Sequence, residues 1–319
     1  MISEEQIRAQ LANILEETAF DGLGERSVGK VRDSYKQDGR RILITSDRIS
    51  AFDCVLGTIP FKGQVLNQIA GFWFEKTSDI VKNHVIAVPD PNVMVVSECE
   101  QLPLEFVVRG YITGVTKTSA WYNYEQGVRN FCGNELPEGL KKDQKLERPI
   151  LTPTTKLEKH DRPISRDEAI AEGLIDVESF DTVADICFRL FQRGVEHAAS
   201  RGLILVDTKY EIGKLGDDFV VSDEIHTPDS SRYWFSDTYE ELFDAGESQR
   251  KIDKEYVREW LAAQGFTGDG TPPALPDDVR VEAARRYIQA YETVTGQDFV
   301  MTDEPMRERI AKALEPYRV

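Results

Sequence analysis

The strand predicted at residues 203–213 (LILVDTKYEIG) constrains the fold most, because it is apolar yet carries three ionisable side chains on one face. Its β-branched and apolar residues and the glycine at each boundary are typical of a strand. Strand side chains alternate between faces, so Asp207, Lys209 and Glu211 project together. The other face, predicted to meet the core, carries Ile204, Val206, Thr208, Tyr210 and Ile212. The charged groups need partners. They can pair with one another on a solvated face, or they can bind a metal or a charged ligand.

A second strand is predicted at residues 219–224, after a glycine-containing turn, so the chain folds back as a hairpin. The fold-back brings Asp223 beside the face of Asp207 and Glu211. Carboxylates that converge with a lysine suit Mg²⁺ bound to a nucleotide, because this ion takes one or two side-chain oxygens and completes its shell with phosphate and water. The polar turn that follows supplies Ser231 and the Arg232 guanidinium, which suit phosphate or carboxylate. The hairpin therefore predicts phosphoryl chemistry.

Length and charge narrow the class of protein. The chain has 319 residues, enough for two lobes, and a formal net charge of −17. This charge argues against nucleic acid and anionic membranes as partners, and any site for an anionic substrate must be a local island of Lys and Arg. No apolar run approaches the length of a bilayer span, and the N-terminus does not resemble a signal peptide. The four cysteines lack disulfide or zinc spacing, so a cytoplasmic protein is expected.

The predicted elements divide the chain into an N-terminal α+β lobe at 1–104 and a more helical α+β lobe at 105–319. Capping boxes at residues 3–6 (SEEQ) and 165–168 (SRDE) each predict a helix start, and the first helix is expected to reach about Thr18. Further helices are predicted at 64–82, 179–201, 236–244, 253–264, 276–295 and 304–314. Further strands are predicted at 27–35, 41–45, 85–88, 93–97 and 105–111.

Residues 24–31 (GERSVGKV) almost match a P-loop, but Val31 stands where Ser or Thr would bind the metal. The residues that follow alternate like a strand and do not open a helix. A strand hairpin that lays Lys30 and Arg32 over nucleotide phosphates, as in kinases and ATP-grasp enzymes, fits this pattern better. An exposed basic strand without a ligand is the alternative.

Other polar groups stand at strand ends and in loops. Arg109 leaves an apolar strand for a glycine-containing loop, where its guanidinium needs an anion, either from a substrate or from a structural salt bridge. Residues 46–53 begin at a strand end, where functional loops commonly start. His160 lies in a loop between the lobes and lacks a Ser or Cys motif that would make it a triad base.

Six ordered segments resemble the phosphoribosylaminoimidazole-succinocarboxamide synthase (SAICAR synthetase) family. They are 29–35 (GKVRDSY), 45–53 (TSDRISAFD), 108–114 (VRGYITG), 152–156 (TPTTK), 207–213 (DTKYEIG) and 223–234 (DEIHTPDSSRYW). The resemblance covers most of the chain, and residues 253–265 look like the longer variety of the family. It implies a two-lobed α+β fold, with antiparallel sheets and flanking helices, that is related to kinase and ATP-grasp architecture.

The resemblance implies an activity in de novo purine biosynthesis. ATP would drive the condensation of 5-aminoimidazole-4-carboxylate ribonucleotide with L-aspartate, giving the succinocarboxamide ribonucleotide, ADP and phosphate, with Mg²⁺ as cofactor. An acyl phosphate is the expected intermediate, because a carboxylate must be activated before an amine can displace its oxygen. The partners are then small molecules, and the oligomeric state stays open with a monomer favoured.

Three other functions compete with this one. The first is another ATP-dependent carboxylate–amine ligase. The second is a small-molecule or protein kinase, although the chain lacks the H-R-D and D-F-G motifs of protein kinases. The third is a nucleotide-binding module without catalysis, which the combination of acids, cations and an anion-binding turn disfavours.

Roles follow from the resemblance position by position. It assigns Lys30, Val31, Arg32 and Lys156 to ATP, and Glu211 and Asp223 to Mg²⁺. It places Asp53, Arg109, Ser231 and Arg232, with Asp207 and Lys209, around the substrates. Asp207 and Lys209 are the expected catalytic residues. Lys209 would stabilise developing negative charge, and Asp207 would accept the proton of the amine or orient the amine or the lysine. In one departure, many relatives have Ser after the loop glycine, whereas Val115 follows Gly114 here. The hydroxyl of Thr113 or Thr116, or the backbone, is expected to replace it.

Overall fold

A computed structural model describes residues 2–51, 54–156, 161–252, 255–266, 270–302 and 304–319. The chain forms two compact units, and each combines helices with largely antiparallel sheet. The first unit comprises Met1–Phe74, His84–Glu98 and Ile252–Val319, and the second comprises Glu75–Asn83 and Cys99–Lys251. This division differs from the boundary expected after residue 104, because the C-terminal helices group with the first unit. Within the described residues, no helix is long and apolar enough to cross a membrane.

The first unit is built on a five-stranded antiparallel sheet. The strands of this unit are β1 (Glu25–Val28), β2 (Arg32–Gln37), β3 (Arg40–Thr45), β4 (Arg48–Ala51), β5 (Cys54–Thr58), β7 (Val85–Asp90) and β8 (Val93–Ser97). Its helices are α1 (Glu4–Ala9), α2 (Lys62–Lys76), α7 (Glu255–Ala263), α8 (Asp277–Thr295) and α9 (Met306–Leu314). The sheet order is β1-β2-β3-β8-β7, and β4 and β5 pair separately. The α9 side chains Met306, Ile310 and Leu314 join the core of this sheet.

The second unit is built on a seven-stranded sheet. The strands of this unit are β6 (Lys82–Asn83), β9 (Glu100–Ile112), β10 (Asn130–Phe131), β11 (Asn134–Glu135), β12 (Gln144–Leu151), β13 (Thr154–Thr155), β14 (Leu203–Leu215), β15 (Asp218–Ser222) and β16 (Ser231–Phe235). Of these, β10 and β11 pair separately from the seven-stranded sheet. Its helices are α3 (Ala120–Glu125), α4 (Arg166–Ala171), α5 (Val177–Ser200) and α6 (Tyr239–Ala245). The order is β12-β9-β14-β15-β6, with β13 on β9 and β16 on β14, and only the short β15–β6 pairing is parallel among these ladders.

Both predicted capping boxes form, but the first helix is shorter than expected. The α-helix ends at Ala9. The segment that follows is bound to the first unit by a hydrogen bond, in which the Leu15 backbone N–H donates to the buried Asp47 carboxylate at 3.0 Å. Asp47 also accepts the Gly63 N–H at 3.0 Å, at the start of α2. Burial, opposed by these two hydrogen bonds, raises the pKa of Asp47 to about 6. One buried side chain therefore fixes both the N-terminal segment and α2.

A β-bulge in β14 breaks the strict alternation that the sequence predicts. It lies between Leu205 and Asp207 in the pairing with β16. Val206 is buried in a core cluster with Trp234, as expected, while its neighbour Leu205 is also buried and faces α5 at Gly194. Because a bulge adds one residue to the strand, the alternation of side chains before the bulge is out of step with the alternation after it. The charged positions lie beyond the bulge and keep their common face.

We expect Gly194→Ala to destabilise the second unit. A Cβ at this position in α5 would lie 2.5 Å from Leu205 Cδ2 and 2.6 Å from His226 Cε1. Overpacking of this kind costs roughly 1–3 kcal/mol. Gly71→Ala in α2 is the matched control, because its Cβ would meet only Met94 Cε at 3.6 Å. There alanine should be neutral or stabilising by up to about 1 kcal/mol. Urea unfolding compares the variants, and equal unfolding midpoints would contradict the packing argument.

Candidate functional site

Three adjacent strands place ionisable side chains on one face of the second unit's sheet. In the β9–β14 ladder, Arg109 lies opposite Asp207 and Glu105 lies opposite Glu211. From β16, Arg232 lies opposite Asp207 on the other edge of β14. Residues that are about a hundred positions apart in the sequence therefore form one charged face.

Two guanidinium groups share the Asp207 carboxylate. Asp207 Oδ2 lies 3.0 Å from Arg109 Nη1 and 3.5 Å from Arg232 Nη1. Arg109 also donates through Nε to Thr152 Oγ1 at 2.8 Å and through Nη2 to the Thr118 carbonyl at 3.0 Å. Burial lowers the pKa of Arg109, with Asp207 opposing, but a guanidinium stays charged in proteins. Two cations against one carboxylate leave a local positive charge that can receive an anion.

The two arginines differ in exposure. The Arg109 side chain is 5% exposed and the Arg232 side chain is 31% exposed. Arg109 is therefore built into the sheet, whereas Arg232 presents part of its guanidinium to solvent. The structure brings both predicted substrate residues to Asp207, and it also supplies the structural salt bridge that was the competing interpretation of Arg109.

Lys209 lies in a cluster of carboxylates, one of which the sequence reasoning missed. Its Nζ donates to Glu105 Oε1 at 2.9 Å and lies 3.6 Å from Glu211 Oε1. Burial opposes the charge, but the carboxylates of Glu105 and Asp223 outweigh it and raise the pKa of Lys209. Glu105 could have been found from sequence, because it stands four residues before Arg109 on a predicted strand and so shares its face.

Glu211 is held by two lysines. Lys156 forms an ion pair with Glu211 Oε2, and Lys209 approaches the other oxygen. The charge of Asp223, the second predicted metal ligand, helps to raise the pKa of Lys209. For Lys156, burial outweighs the opposing charge of Asp223, and the pKa is lowered. Within the described ranges, no three His, Cys, Asp or Glu side chains form a cluster that could hold a metal by themselves. Two carboxylates remain a sufficient donor set for Mg²⁺ when phosphate and water supply the other ligands.

The loop between β15 and β16 is anchored to the sheet through its buried residue His226. Asp223 and His226 both have positive φ, 61° and 52°, so the loop turns sharply. Tyr210 Oη lies 2.5 Å from His226 Nε2, and Tyr233 Oη donates to the His226 carbonyl at 2.8 Å. Burial lowers the pKa of His226 to about 3, so its ring is neutral. Nothing in the sequence distinguished this histidine, since its role depends on tyrosines from two other strands.

Ser231, a predicted substrate residue, begins β16 beside the arginines. Its hydroxyl donates to Thr208 Oγ1 at 2.7 Å, and the residue is 5% exposed. The Ser231 hydroxyl therefore lies with Thr208, which alternation places on the face opposite Asp207, and its proton has a partner within the protein.

Ser119, not Thr113 or Thr116, brings a hydroxyl beside Gly114. A Cβ built on Gly114, which has φ 93°, would lie 2.5 Å from Ser119 Oγ and 2.9 Å from Arg232 Nη1. Thr113 Oγ1 donates to Asp143, away from this point, and Thr116 Oγ1 lies 2.7 Å from Ser119 Oγ. Residues 115–118 thus form a short loop, and Ser119, five positions after Gly114, returns a hydroxyl to the glycine. Only glycine fits at position 114.

In the first unit, Lys30 and Val31 lie in the turn between β1 and β2, and Arg32 begins β2. The chain continues into a strand and not a helix, so the strand hairpin is confirmed and the P-loop is excluded. Phosphate binding by this hairpin stays a prediction. Lys30 is exposed, and Arg32 Nε donates to Thr45 Oγ1 at 3.3 Å. Asp53 and His160 lie outside the described residues.

Comparisons with known proteins agree on one family. A model of the family described as SAICAR synthetase matches residues 25–273. A phosphoribosylaminoimidazole-succinocarboxamide synthase of Legionella pneumophila (strain Lens) is 51% identical over 284 residues, which cover 88% of this chain and 91% of the relative. A SAICAR-synthase from Saccharomyces cerevisiae complexed with SAICAR has a similar structure, with a TM-score of 0.80 and 32% identity over 90% of this chain and 100% of that chain. A SAICAR synthetase (Type-2) in complex with ADP shares the fold, with a TM-score of 0.66 and 23% identity over 87% of this chain and 100% of that chain.

We expect Arg109→Lys to reduce stability more than Arg232→Lys. A lysine ammonium cannot reproduce the three-way contact of Arg109 with Thr152, Asp207 and Thr118, so buried partners would be left unpaired, at a cost of roughly 1–3 kcal/mol. Arg232 is the matched control, since it contacts the same carboxylate from a more exposed position. Chemical unfolding measures the difference, and a larger loss for Arg232→Lys would contradict it.

Proposed function

Because the chain belongs to the SAICAR synthetase family, it is a ligase of purine biosynthesis, and we propose how its residues perform the reaction. It condenses 5-aminoimidazole-4-carboxylate ribonucleotide with L-aspartate, using ATP. The products are the succinocarboxamide ribonucleotide, ADP and phosphate. The observation that most supports a role of this sheet in the reaction is the pair of guanidinium groups on Asp207. This carboxylate lies on the same strand face as Lys209 and Glu211.

We propose that the arginine pair receives an anionic group of the substrates. Arg232 makes the direct contact, because its guanidinium is the more exposed of the two. Arg109 holds Asp207 and adds positive charge from within the sheet. Ser231 and Asp53 complete the substrate contacts that the resemblance assigns, and the Ser119 hydroxyl takes the place of the family serine.

ATP and Mg²⁺ are proposed to use the remaining assigned residues. In the first unit, Lys30, Val31 and Arg32 would hold ATP phosphates, and in the second unit Lys156 is assigned to ATP. The carboxylates of Glu211 and Asp223 would hold Mg²⁺, whose preferred ligands in proteins are oxygens. When bound, Mg²⁺ supplies positive charge that neutralises the phosphate oxygens during transfer.

The proposed chemistry proceeds through an acyl phosphate. A carboxylate oxygen of the ribonucleotide attacks the γ-phosphorus of ATP and ADP leaves. The aspartate amine then attacks the activated carbon, and inorganic phosphate departs with the former carboxylate oxygen. Such a path requires neutralised charge and fixed positions more than a protein nucleophile.

Two side chains on β14 are proposed to assist directly. The charged Lys209 would stabilise the negative charge that develops on the reacting oxygens. The amine must lose a proton to attack, and Asp207 is the proposed acceptor. The contacts of Lys209 are with Glu105 and Glu211, so these carboxylates, and not Asp207, orient the lysine.

We also propose a structural kinship, a cellular location and an oligomeric state for the protein. The antiparallel sheet whose β1–β2 turn carries Lys30 supports kinship with kinases and ATP-grasp enzymes. A cytoplasmic location is supported by the four free cysteines, since thiols persist in reducing compartments. A monomer that binds small molecules, and neither nucleic acid nor membrane, accords with the charge of −17.

Phosphate release tests the reaction and separates it from its rivals. We expect turnover only with ATP, the imidazole carboxylate and aspartate together, whereas a kinase would phosphorylate one stable acceptor. With ¹⁸O in the ribonucleotide carboxylate, the label should appear in the inorganic phosphate. Productive turnover without ¹⁸O transfer would rule out the acyl phosphate while leaving the ligase activity standing.

Conservative changes at the proposed metal ligands form a second test. Glu211→Gln and Asp223→Asn should raise the Mg²⁺ concentration needed for half-maximal activity by about tenfold or more, because each removes a charged oxygen ligand. Glu105→Gln is the matched control, since Glu105 lies opposite Glu211 in the ladder but has no assigned metal role. Circular dichroism checks the fold of each variant. An unchanged Mg²⁺ requirement in both ligand variants would refute the assignment.

A further inference from the structure

Three successive backbone carbonyls in the β1–β2 turn are held by buried donors. Arg48 donates through Nη2 to the Gly29 carbonyl at 3.1 Å and through Nε to the Lys30 carbonyl at 3.2 Å. Ser46 donates to the next carbonyl, that of Val31, from its backbone N–H at 2.9 Å and from its hydroxyl at 2.7 Å. The turn is exposed on its other side, where both Gly29 and Lys30 face solvent.

Peptide geometry converts these contacts into a direction for the N–H groups. In a planar trans peptide, the carbonyl of one residue and the N–H of the next point in opposite directions. The carbonyls of Gly29 and Lys30 point at Arg48, and that of Val31 points at Ser46. The N–H groups of Lys30, Val31 and Arg32 are therefore each directed away from these buried donors. Successive N–H groups of this kind attract anions, phosphate above all.

Arg48 is itself fixed by a buried carboxylate. It forms an ion pair with Asp33 Oδ1, and the two side chains are 10% and 0% exposed. Asp33 Oδ2 accepts from Thr18 Oγ1 at 2.6 Å and from Arg26 Nη2 at 2.8 Å. Burial alone would raise the pKa of Asp33, but these hydrogen bonds outweigh it and lower the pKa, so the partner of Arg48 stays ionised. The fork of Arg48 is thus held before any ligand arrives.

We propose that Arg48 is a positioning residue that sets the β1–β2 turn to receive the terminal phosphates of the nucleotide. It acts from beneath the turn, through the carbonyls of Gly29 and Lys30, and does not touch the nucleotide. The proposal rests on the proposed function only in taking this turn as the phosphate site. The role of Arg48 is distinct from that of Lys30 and Arg32, whose side chains supply positive charge to the phosphates.

The experiment compares ADP with AMP, which lacks the β-phosphate, by calorimetric titration at fixed Mg²⁺. Arg48→Lys keeps a positive charge for Asp33 but loses the planar fork that reaches two carbonyls. We expect ADP affinity to fall about tenfold, the equivalent of roughly 1.4 kcal/mol, and AMP affinity to change less than about twofold. A purely structural role would weaken both nucleotides together.

Arg309→Lys is the matched control. Arg309 is also in the first unit, pairs with the buried Asp90 at 3.0 Å, and has the same 10% exposure as Arg48. Its other described contacts are with Asn92 and Thr302, and none is a carbonyl of the turn. The control should lose stability to a similar extent while keeping the wild-type ratio of ADP to AMP affinity.

Each outcome decides the proposal. Equal losses for ADP and AMP, or an unchanged ADP affinity in folded Arg48→Lys, would overturn it. If that variant does not fold, Ser46→Ala decides, because it removes a single donor to the Val31 carbonyl. A selective two- to fivefold loss of ADP affinity would then support the proposal, on the scale of one neutral hydrogen bond, and no loss would overturn it. Wild-type protein that binds no ADP would instead refute the proposed function, and this proposal with it.

Discussion

The carboxylate of Asp207 lies between two guanidinium groups, and the charged face of the second unit depends on this contact. Arg109 is almost fully buried in the sheet, where an unpaired guanidinium would be strongly destabilising. Asp207 neutralises it through the same oxygen that Arg232 approaches. Because one carboxylate serves two cations, positive charge is in excess at this point of a chain whose net charge is −17.

Loops in both units are held by buried side chains that bind their backbone carbonyls. Arg109 holds the Thr118 carbonyl, Tyr233 holds that of His226, and Arg48 holds two carbonyls of the β1–β2 turn. Such loops lack a regular ladder, so their polar backbone groups need individual partners. The partners also fix the loop conformation before a ligand binds, which lowers the entropy lost on binding.

Features set by local pattern could be predicted from the sequence, and features set by register could not. Alternation along one strand placed Asp207 and Glu211 on one face, and the capping boxes and later helices formed close to their predicted positions. Alternation could also have placed Glu105 on the face of Arg109, but its position opposite Glu211 depends on how β9 pairs with β14. The bulge at Val206 and the return of Ser119 to Gly114 likewise depend on contacts between segments. Asp53 stays a prediction, since it lies outside the described residues.

The first unit is discontinuous in sequence, and this has a consequence for synthesis on the ribosome. The second unit is complete once Lys251 has emerged, so its strands can pair while the rest of the chain is still being made. The first unit must wait, because Ile310 and Leu314 of α9 fill the core beneath its sheet and the Val319 N–H donates to the Gly22 carbonyl at 2.7 Å. Until α9 has emerged, the N-terminal sheet lacks the apolar side chains that complete its core. The N-terminal segments of the first unit are therefore synthesised first but complete their core last.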